Sequence, residues 1–240
     1  VVADSNTLPS GQEDFTVSTW TKTTQVSTGL QQNFDSDAGW TQTGSNIAIT
    51  GGAIDINVNN GSDHQVEYDF GSALSNQFVL QYTIEPTGRT VPAKYLGTLM
   101  SCSGNPDGGC TGDKIGVGLW SDHSSDDLDL TLVDGDNASS LDSISAYHSD
   151  PSNHYVGLTQ NTKYFVEFVR NNNDMTLSVW DDAFNGSSQV GSFTEAMSGT
   201  YTDIQYLTFA NQGSGNSVRQ LSATVDDLRF CDGLTSWTSC

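Results

Sequence analysis

Basic residues are scarce in this chain: 8 Lys and Arg stand against 29 Asp and Glu, leaving a formal charge of −21. Nucleic acid and anionic membrane surfaces would repel such a chain. It suits cations, neutral glycans, or a saline medium that screens its own repulsion. Glutamate is sparse too, confined to Glu13, Glu67, Glu85, Glu167 and Glu195. The remaining acid is aspartate, which is short enough for turns and calcium loops. No run approaches the about 18 apolar residues of a membrane helix. Helical periodicity is missing throughout, and only Phe193 to Ser198 could form a short helical turn. Neither a Ser/His/Asp nor a Cys/His pattern is present to supply a nucleophile.

What the chain does hold is a β-protein composition. Hydrophobic residues make up 35% and aromatics 10% of 240 residues, enough for one large core. Polar mass comes from Ser, Thr, Asn and Gly, the turn formers that short strands need. The 4 cysteines fall into two close pairs, Cys102 with Cys110 and Cys231 with Cys240. Even number and short loops predict two disulfides and an oxidising compartment. Zinc is the rival reading, without Cys-x-x-Cys spacing or a nearby His to support it. Val1-Val2-Ala3-Asp4 resembles the tail of a signal-peptidase site. Asn60-Gly61-Ser62, Asn137-Ala138-Ser139 and Asn185-Gly186-Ser187 are glycosylation sequons in turn-like sequence. A secreted or cell-surface protein is expected.

Period-two alternation predicts strands from Asn33 onward. Ile47 and Ile49 share a face before a Gly51-Gly52 turn, and Ile54, Ile56 and Val58 share the next. Val66, Tyr68 and Phe70 alternate with Gln65, Glu67 and Asp69; Phe78 to Ile84 follows, ended by Glu85-Pro86. Leu96 to Met100, Ile115 to Leu119 with glycines between, and Leu128 to Leu132 running into a turn at Asp134 to Asn137 continue the series. Tyr164, Val166 and Phe168 lead to a hairpin turn at Asn171 to Asp174, then Met175, Leu177 and Val179 return. Ile204 to Thr208 and Ala223, Val225 and Leu228 complete the set. The expectation is an all-β fold: a two-sheet antiparallel β-sandwich of the jelly-roll kind. Residues 1–32 read as a leader with one possible strand at Phe15 to Trp20, thinning into polar linker from Thr21 to Gln32. Residues 33–231 read as the domain, and 232–240 as a disulfide-tethered tail.

Three stretches carry a family likeness: Asn33-Phe34-Asp35-Ser36-Asp37-Ala38-Gly39-Trp40; Thr162 to Arg170 with Met175 to Trp180; and Ser222-Ala223-Thr224-Val225-Asp226-Asp227-Leu228-Arg229-Phe230. On these the chain resembles the concanavalin A-like lectin/glucanase superfamily, close to its laminin-G-like jelly rolls. The likeness implies that fold and a lectin-like role over residues 33–231.

Candidate chemistry follows from residue types. Glycosidases need two carboxyls, about 5.5 Å apart for retention. The glucanase branch places acids as Glu-x-Asp-x-x-Glu; here Glu67-Tyr68-Asp69 lacks the third, since position 72 is Ser. Asp127 and Asp129 share a strand face without a Glu. A polysaccharide lyase needs a Tyr or His base with an Arg or Asn beside it, and Arg89, Arg170, Arg219 and Arg229 are scattered. Calcium takes about six to eight oxygens, and Asp35, Asp37, Asp226 and Asp227 converge if the terminal strands are neighbours. Such a site would be structural; the alternative is that these aspartates cap turns. Glycan contact calls for aromatic faces beside polar groups. Trp120, Asp122 and His123 offer that mix, as do Tyr147, His148, His154 and Tyr155. The expected function is therefore non-catalytic, lectin-like glycan binding with possible calcium. The alternatives are a glucanase-like hydrolase and a subunit of an extracellular filament or surface layer. In that last reading Phe15 to Trp20 adds to a neighbour's sheet by self-association.

Overall fold

The computed structural model describes residues 29–58, 64–90, 96–101, 112–121, 128–138, 145–146, 155–211 and 220–237. The possible strand at Phe15 to Trp20 lies outside them. Every described pairing is antiparallel, and two eight-stranded sheets result. The first holds β1 (Gly29–Gln32), β3 (Ile47–Thr50), β4 (Ala53–Val58), β6 (Gln77–Thr90), β12 (Tyr164–Asn171), β13 (Asp174–Trp180), β14 (Gln189–Ala196) and β16 (Gln220–Asp232). Its order is β14-β13-β12-β6-β16-β4-β3, with β1 also on β16. The second holds β2 (Trp40–Thr43), β5 (Gln65–Asp69), β7 (Leu96–Ser101), β8 (Gly112–Ser121), β9 (Leu128–Ala138), β10 (Ser145–Ala146), β11 (Val156–Leu158) and β15 (Tyr206–Asn211). Its order is β10-β9-β8-β7-β15-β5-β2, with β11 also on β9. The expected sandwich is present. No helix among the described residues is long and apolar enough to cross a membrane.

Alternation places the core between the sheets. Along β12, Tyr164, Val166, Phe168 and Arg170 are buried, while Phe165, Glu167 and Val169 are half-buried on the other face. The β12–β13 hairpin closes as expected, with Asn171 opposite Asp174 and Asn172 at φ +57°. Asparagine tolerates that left-handed conformation better than most residues. Aromatic rings then knit the layers together. Phe230 lies 4.4 Å from Phe70 and 5.6 Å from Phe78, and Phe209 lies 6.0 Å from Tyr82, centroid to centroid.

Four stretches differ from the sequence expectation. Gly29 to Gln32, read as linker, forms β1, because Leu30 opposite Phe230 has a core position to fill. β6 runs through Pro86 to Thr90 instead of stopping. The Pro86 carbonyl accepts from Asn161 N, beyond the end of the β12 pairing at Ile84. A strand residue's N–H and C=O share a side, so the hydrogen that proline lacks has no ladder partner to miss. β9 continues through Asp134 to Ala138, where a turn was expected. Asp134 is buried and accepts from Ser198 N at 2.6 Å, Ser198 Oγ at 2.8 Å and Tyr201 Oη at 2.9 Å. Phe193 to Ala196 belongs to the edge strand β14, not to a helical turn.

The paired aspartates of β16 mark a β-bulge. Asp226 faces Thr83 and Arg229 faces Gln81, so Asp227 and Leu228 together oppose the single residue Tyr82. Asp227 takes φ +52°, and the extra residue lets both Val225 and Leu228 reach the core. A side chain at positive φ costs about 1–2 kcal/mol unless it is small and polar. Asp227→Val is therefore expected to lose about that much in chemical denaturation, whereas Asp227→Gly should stay within about 0.5 kcal/mol of wild type. Equal losses in the two variants would remove the bulge from the account.

Candidate polar face of the second sheet

Along β8 the core takes Ile115, Val117 and Leu119, so Lys114, Gly116 and Gly118 face the other way. The same alternation turns Gln65 and Glu67 of β5, Thr208 and Ala210 of β15, and Asp129, Thr131 and Val133 of β9 to that outer face. Strand register assembles them into rows. Thr41, Glu67, Thr208, Leu99, Gly116 and Val133 form one. Thr43, Gln65, Ala210, Gly97, Gly118 and Thr131 form the next. The middle of the face is thus floored by glycine, with Gly97 directly opposite Gly118. Glycine inside a strand marks a place where another group approaches the backbone closely.

Although they point away from the core, these polar side chains are buried: Thr208, Thr131 and Lys114 at 0%, Asp129 at 3% and Gln65 at 6% exposure. The Thr208 hydroxyl and the Gln65 Oε1 have no hydrogen-bond partner among the described residues. Thr208 lies opposite Glu67 and Gln65 opposite Ala210, which makes the two diagonal neighbours across adjacent strands. Two such orphans on one face are exceptional, because buried polar atoms are nearly always partnered by protein, water or ligand.

Charge gathers at one end of this face. Burial pushes the Lys114 ammonium down, while Asp203 and Asp113 pull it back up. Burial also raises the Asp203 carboxyl, and the adjacent Asp113 side chain raises it further. Beside the strand end, Asp69 accepts from Gln205 Nε2 at 2.8 Å and Gly71 N at 2.6 Å, which holds its carboxyl below the usual range. Asp69 therefore stays ionised near neutral pH.

On the first sheet, burial raises Glu167, while Gln81 Nε2, donating to Glu167 Oε2 at 2.7 Å, holds it back. The Gln81 Oε1 is buried without a partner among the described residues. A carboxyl raised on folding stabilises the protein on the acid side, and that contribution is lost as pH climbs through the raised value. Glu167→Gln supplies an N–H donor to the orphaned oxygen at every pH. It should gain about 1 kcal/mol at neutral pH. The decline in stability above about pH 4 should also become shallower. Denaturation midpoints across a pH series check this, and an unchanged slope would count against it.

The residues expected to meet a glycan are placed only in part. Trp120 is a β8 position opposite Asp129, which in turn faces Gly157 of β11. Tyr155 immediately precedes β11 and is 39% exposed. These two positions flank β9. Asp122, His123, Tyr147, His148 and His154 lie outside the described residues. The terminal strands are neighbours as anticipated, yet the four aspartates named for calcium do not gather. Asp35 is bonded to Asn33, Asp227 is paired with Lys163 at 3.3 Å, and Asp226 Oδ1 accepts from Asp227 N at 2.7 Å. Among the described residues no three His, Cys, Asp or Glu side chains are arranged to hold a metal. Cys231 is buried and disulfide-bonded; Cys102, Cys110 and Cys240 lie outside the described residues.

No protein-family model matches the chain, and no curated protein matches it by sequence. Solved structures do. Arcelin-5, a lectin-like defense protein from Phaseolus vulgaris, superposes with a TM-score of 0.57 at 11% identity, over 87% of this chain and 99% of that one. Lectin II from Ulex europaeus gives 0.57 at 10% identity, over 88% and 99%. The carbohydrate recognition domain of Emp47p gives 0.55 at 12% identity, over 86% and 95%. This chain has the concanavalin A-like fold. At such identities the likeness is one of architecture, and within that concanavalin A-like frame the polar face must be judged on its own residues. Sequence reasoning noticed Gln65, Glu67 and the glycines of β8 only as the outward half of an alternation. Their meeting on one floor depends on the order β5-β15-β7-β8-β9, which no local pattern encodes.

Proposed function

We propose that this protein binds a glycan on the outer face of its second sheet, over the glycine floor, without catalysing a reaction on it. The supporting observation is the pair of buried, unpartnered acceptors, Gln65 Oε1 and Thr208 Oγ1, beside Gly97, Gly116 and Gly118. Sugar hydroxyls satisfy such atoms, and the glycines at 97, 116 and 118 leave backbone that a ring can approach closely. Lectin-like and carbohydrate-recognition neighbours of the same fold support the choice of ligand class. A binder is favoured over a hydrolase because the Glu-x-Asp-x-x-Glu pattern is incomplete, position 72 being Ser. The disulfide at Cys231 and the three sequons support a secreted or cell-surface location.

Thr208→Val separates a ligand site from a packing defect. If the hydroxyl meets a sugar, affinity for the glycan selected from an oligosaccharide panel falls about three- to tenfold, the worth of one neutral hydrogen bond. Stability meanwhile stays the same or rises. Binding by calorimetry that is untouched by the substitution, or silence across the whole panel with calcium present and absent, would remove the proposal.

A further inference from the structure

A second polar cavity lies on the opposite side of the molecule, where β1 meets the β16 bulge. It encloses about 310 Å³ and is lined by Gln31, Gln32, Asn33, Asp227, Leu228 and Arg229. That is the lower end of the range for ligand sites, about 300 Å³ upward, and fits one ring-sized ligand. Gln31 and Arg229 are directly opposite in register, on the face turned away from the core.

Arg229 is held in an unusual way. Its guanidinium carbon lies 5.3 Å from the Phe184 ring centroid and 5.8 Å from that of Trp237. It has neither a carboxylate nor a hydrogen-bond partner among the described residues. In a chain with 29 acidic residues, leaving a guanidinium without a carboxylate is conspicuous. The carboxylate that lines the cavity, Asp227, is turned to Lys163 at 3.3 Å. The two rings flank the guanidinium, and its N–H groups, without a partner among the described residues, suit a bidentate acceptor. Gln31 and Gln32 bring carboxamides, each both donor and acceptor, to the same space; Asn33 is held at its margin by its bonds to Asp35.

We propose that this cavity binds a uronate: the sugar carboxylate takes the Arg229 fork, and the ring hydroxyls meet the carboxamides. The choice of a sugar over another hydroxylated acid rests on the glycan reading above, whereas the carboxylate requirement rests on Arg229 alone. A charge-assisted pair of this kind is worth enough to set specificity, since such bonds are about twice as strong as neutral ones.

The test is a nuclear magnetic resonance titration of the full chain with D-galacturonate, its methyl ester, D-galactose and acetate. Galacturonate is expected to shift the Arg229 Nε–H and the amides of residues 31–33 and 227–229, with the ester and galactose at least tenfold weaker. Arg229→Gln should abolish the response, and Arg229→Lys, which keeps the charge but not the fork, should restore only part of it. Gln31→Leu weakens the response without touching the contacts to Phe184 and Trp237, and covers the case in which Arg229→Gln unfolds. Thr208→Val should leave it unchanged. Equal binding of acetate would reduce the cavity to a bare anion hole, and equal binding of galactose would remove the carboxylate requirement. Either result overturns the proposal, as does a response lost in Thr208→Val or kept in Arg229→Gln. No shift with galacturonate overturns it as well, while leaving the polar face of the second sheet unaffected.

Discussion

Arg170→Met is expected to cost about 3–5 kcal/mol of unfolding free energy, the range for removing one member of a buried charged network. Arg170 is 2% exposed, on the core side of β12. Its Nη2 donates to Tyr201 O at 2.6 Å and to Asn76 Oδ1 at 3.1 Å, and its Nε to Asn172 O at 3.3 Å. Burial pushes the guanidinium down from its usual range, and Asp113, Asp232 and Tyr201 pull it back up. The residue therefore ties β12 of the first sheet to the segment before β15 and to the start of β8 in the second. Methionine keeps most of the volume, so the loss reports charge and hydrogen bonds rather than a void. Equilibrium denaturation measures it, and adding Asp113→Asn should recover part of the loss, because the two sites are coupled. A single-variant cost under about 1 kcal/mol, or strictly additive costs, would mean that the network carries little of the stability.

Phe230→Ala is expected to cost a similar amount, about 3–5 kcal/mol, by a different route. Phe230 is fully buried, opposite Leu30 of β1 on one side and Leu80 of β6 on the other. Its ring meets Phe70 and Phe78, which draws in both sheets. Removing it empties the seam that holds β1, a strand of 4 residues with Leu30 as its anchor. Amide exchange at Leu30 to Gln32 should accelerate more than at Val166 to Phe168, where the core is intact. Uniform acceleration would mean that β1 is held by something other than this ring.

The parts of the fold legible in the sequence are those where local chemistry and tertiary packing agree. β12 alternates along its whole length, Met175, Leu177 and Val179 of β13 share the core face, and Asn172 supplies the turn conformation, so the hairpin follows directly. The three-residue step from Val225 to Leu228 even records the bulge, since a plain strand would bring Val225 and Asp227 to one face. Legibility fails where distant residues decide. Asp134-Gly135-Asp136-Asn137 has turn composition, yet it is strand, with Ser198 and Tyr201, far along the chain, donating to Asp134 Oδ2. β14 is an edge strand with five of its eight positions exposed and none buried, so it lacks the apolar alternation that would announce it. The candidate face was hidden for the same reason: Gln65 and Thr208 are adjacent only because β15 lies between β5 and β7. Arg229 read as one of several scattered cations, and its want of an acidic partner is a property of the folded chain alone.

Gly29 is opposite Cys231, a pairing that joins positions about 200 residues apart, and β16 also lies between β6 and β4. During synthesis, then, the first sheet has a gap at its centre until β16 leaves the ribosome. For most of that time β4 and β6 each offer an open edge to any passing chain. A polypeptide wired this way commits to its native state late and all at once. Its survival while incomplete depends on whatever escorts it, and the dense negative charge that keeps nascent copies apart is one such safeguard.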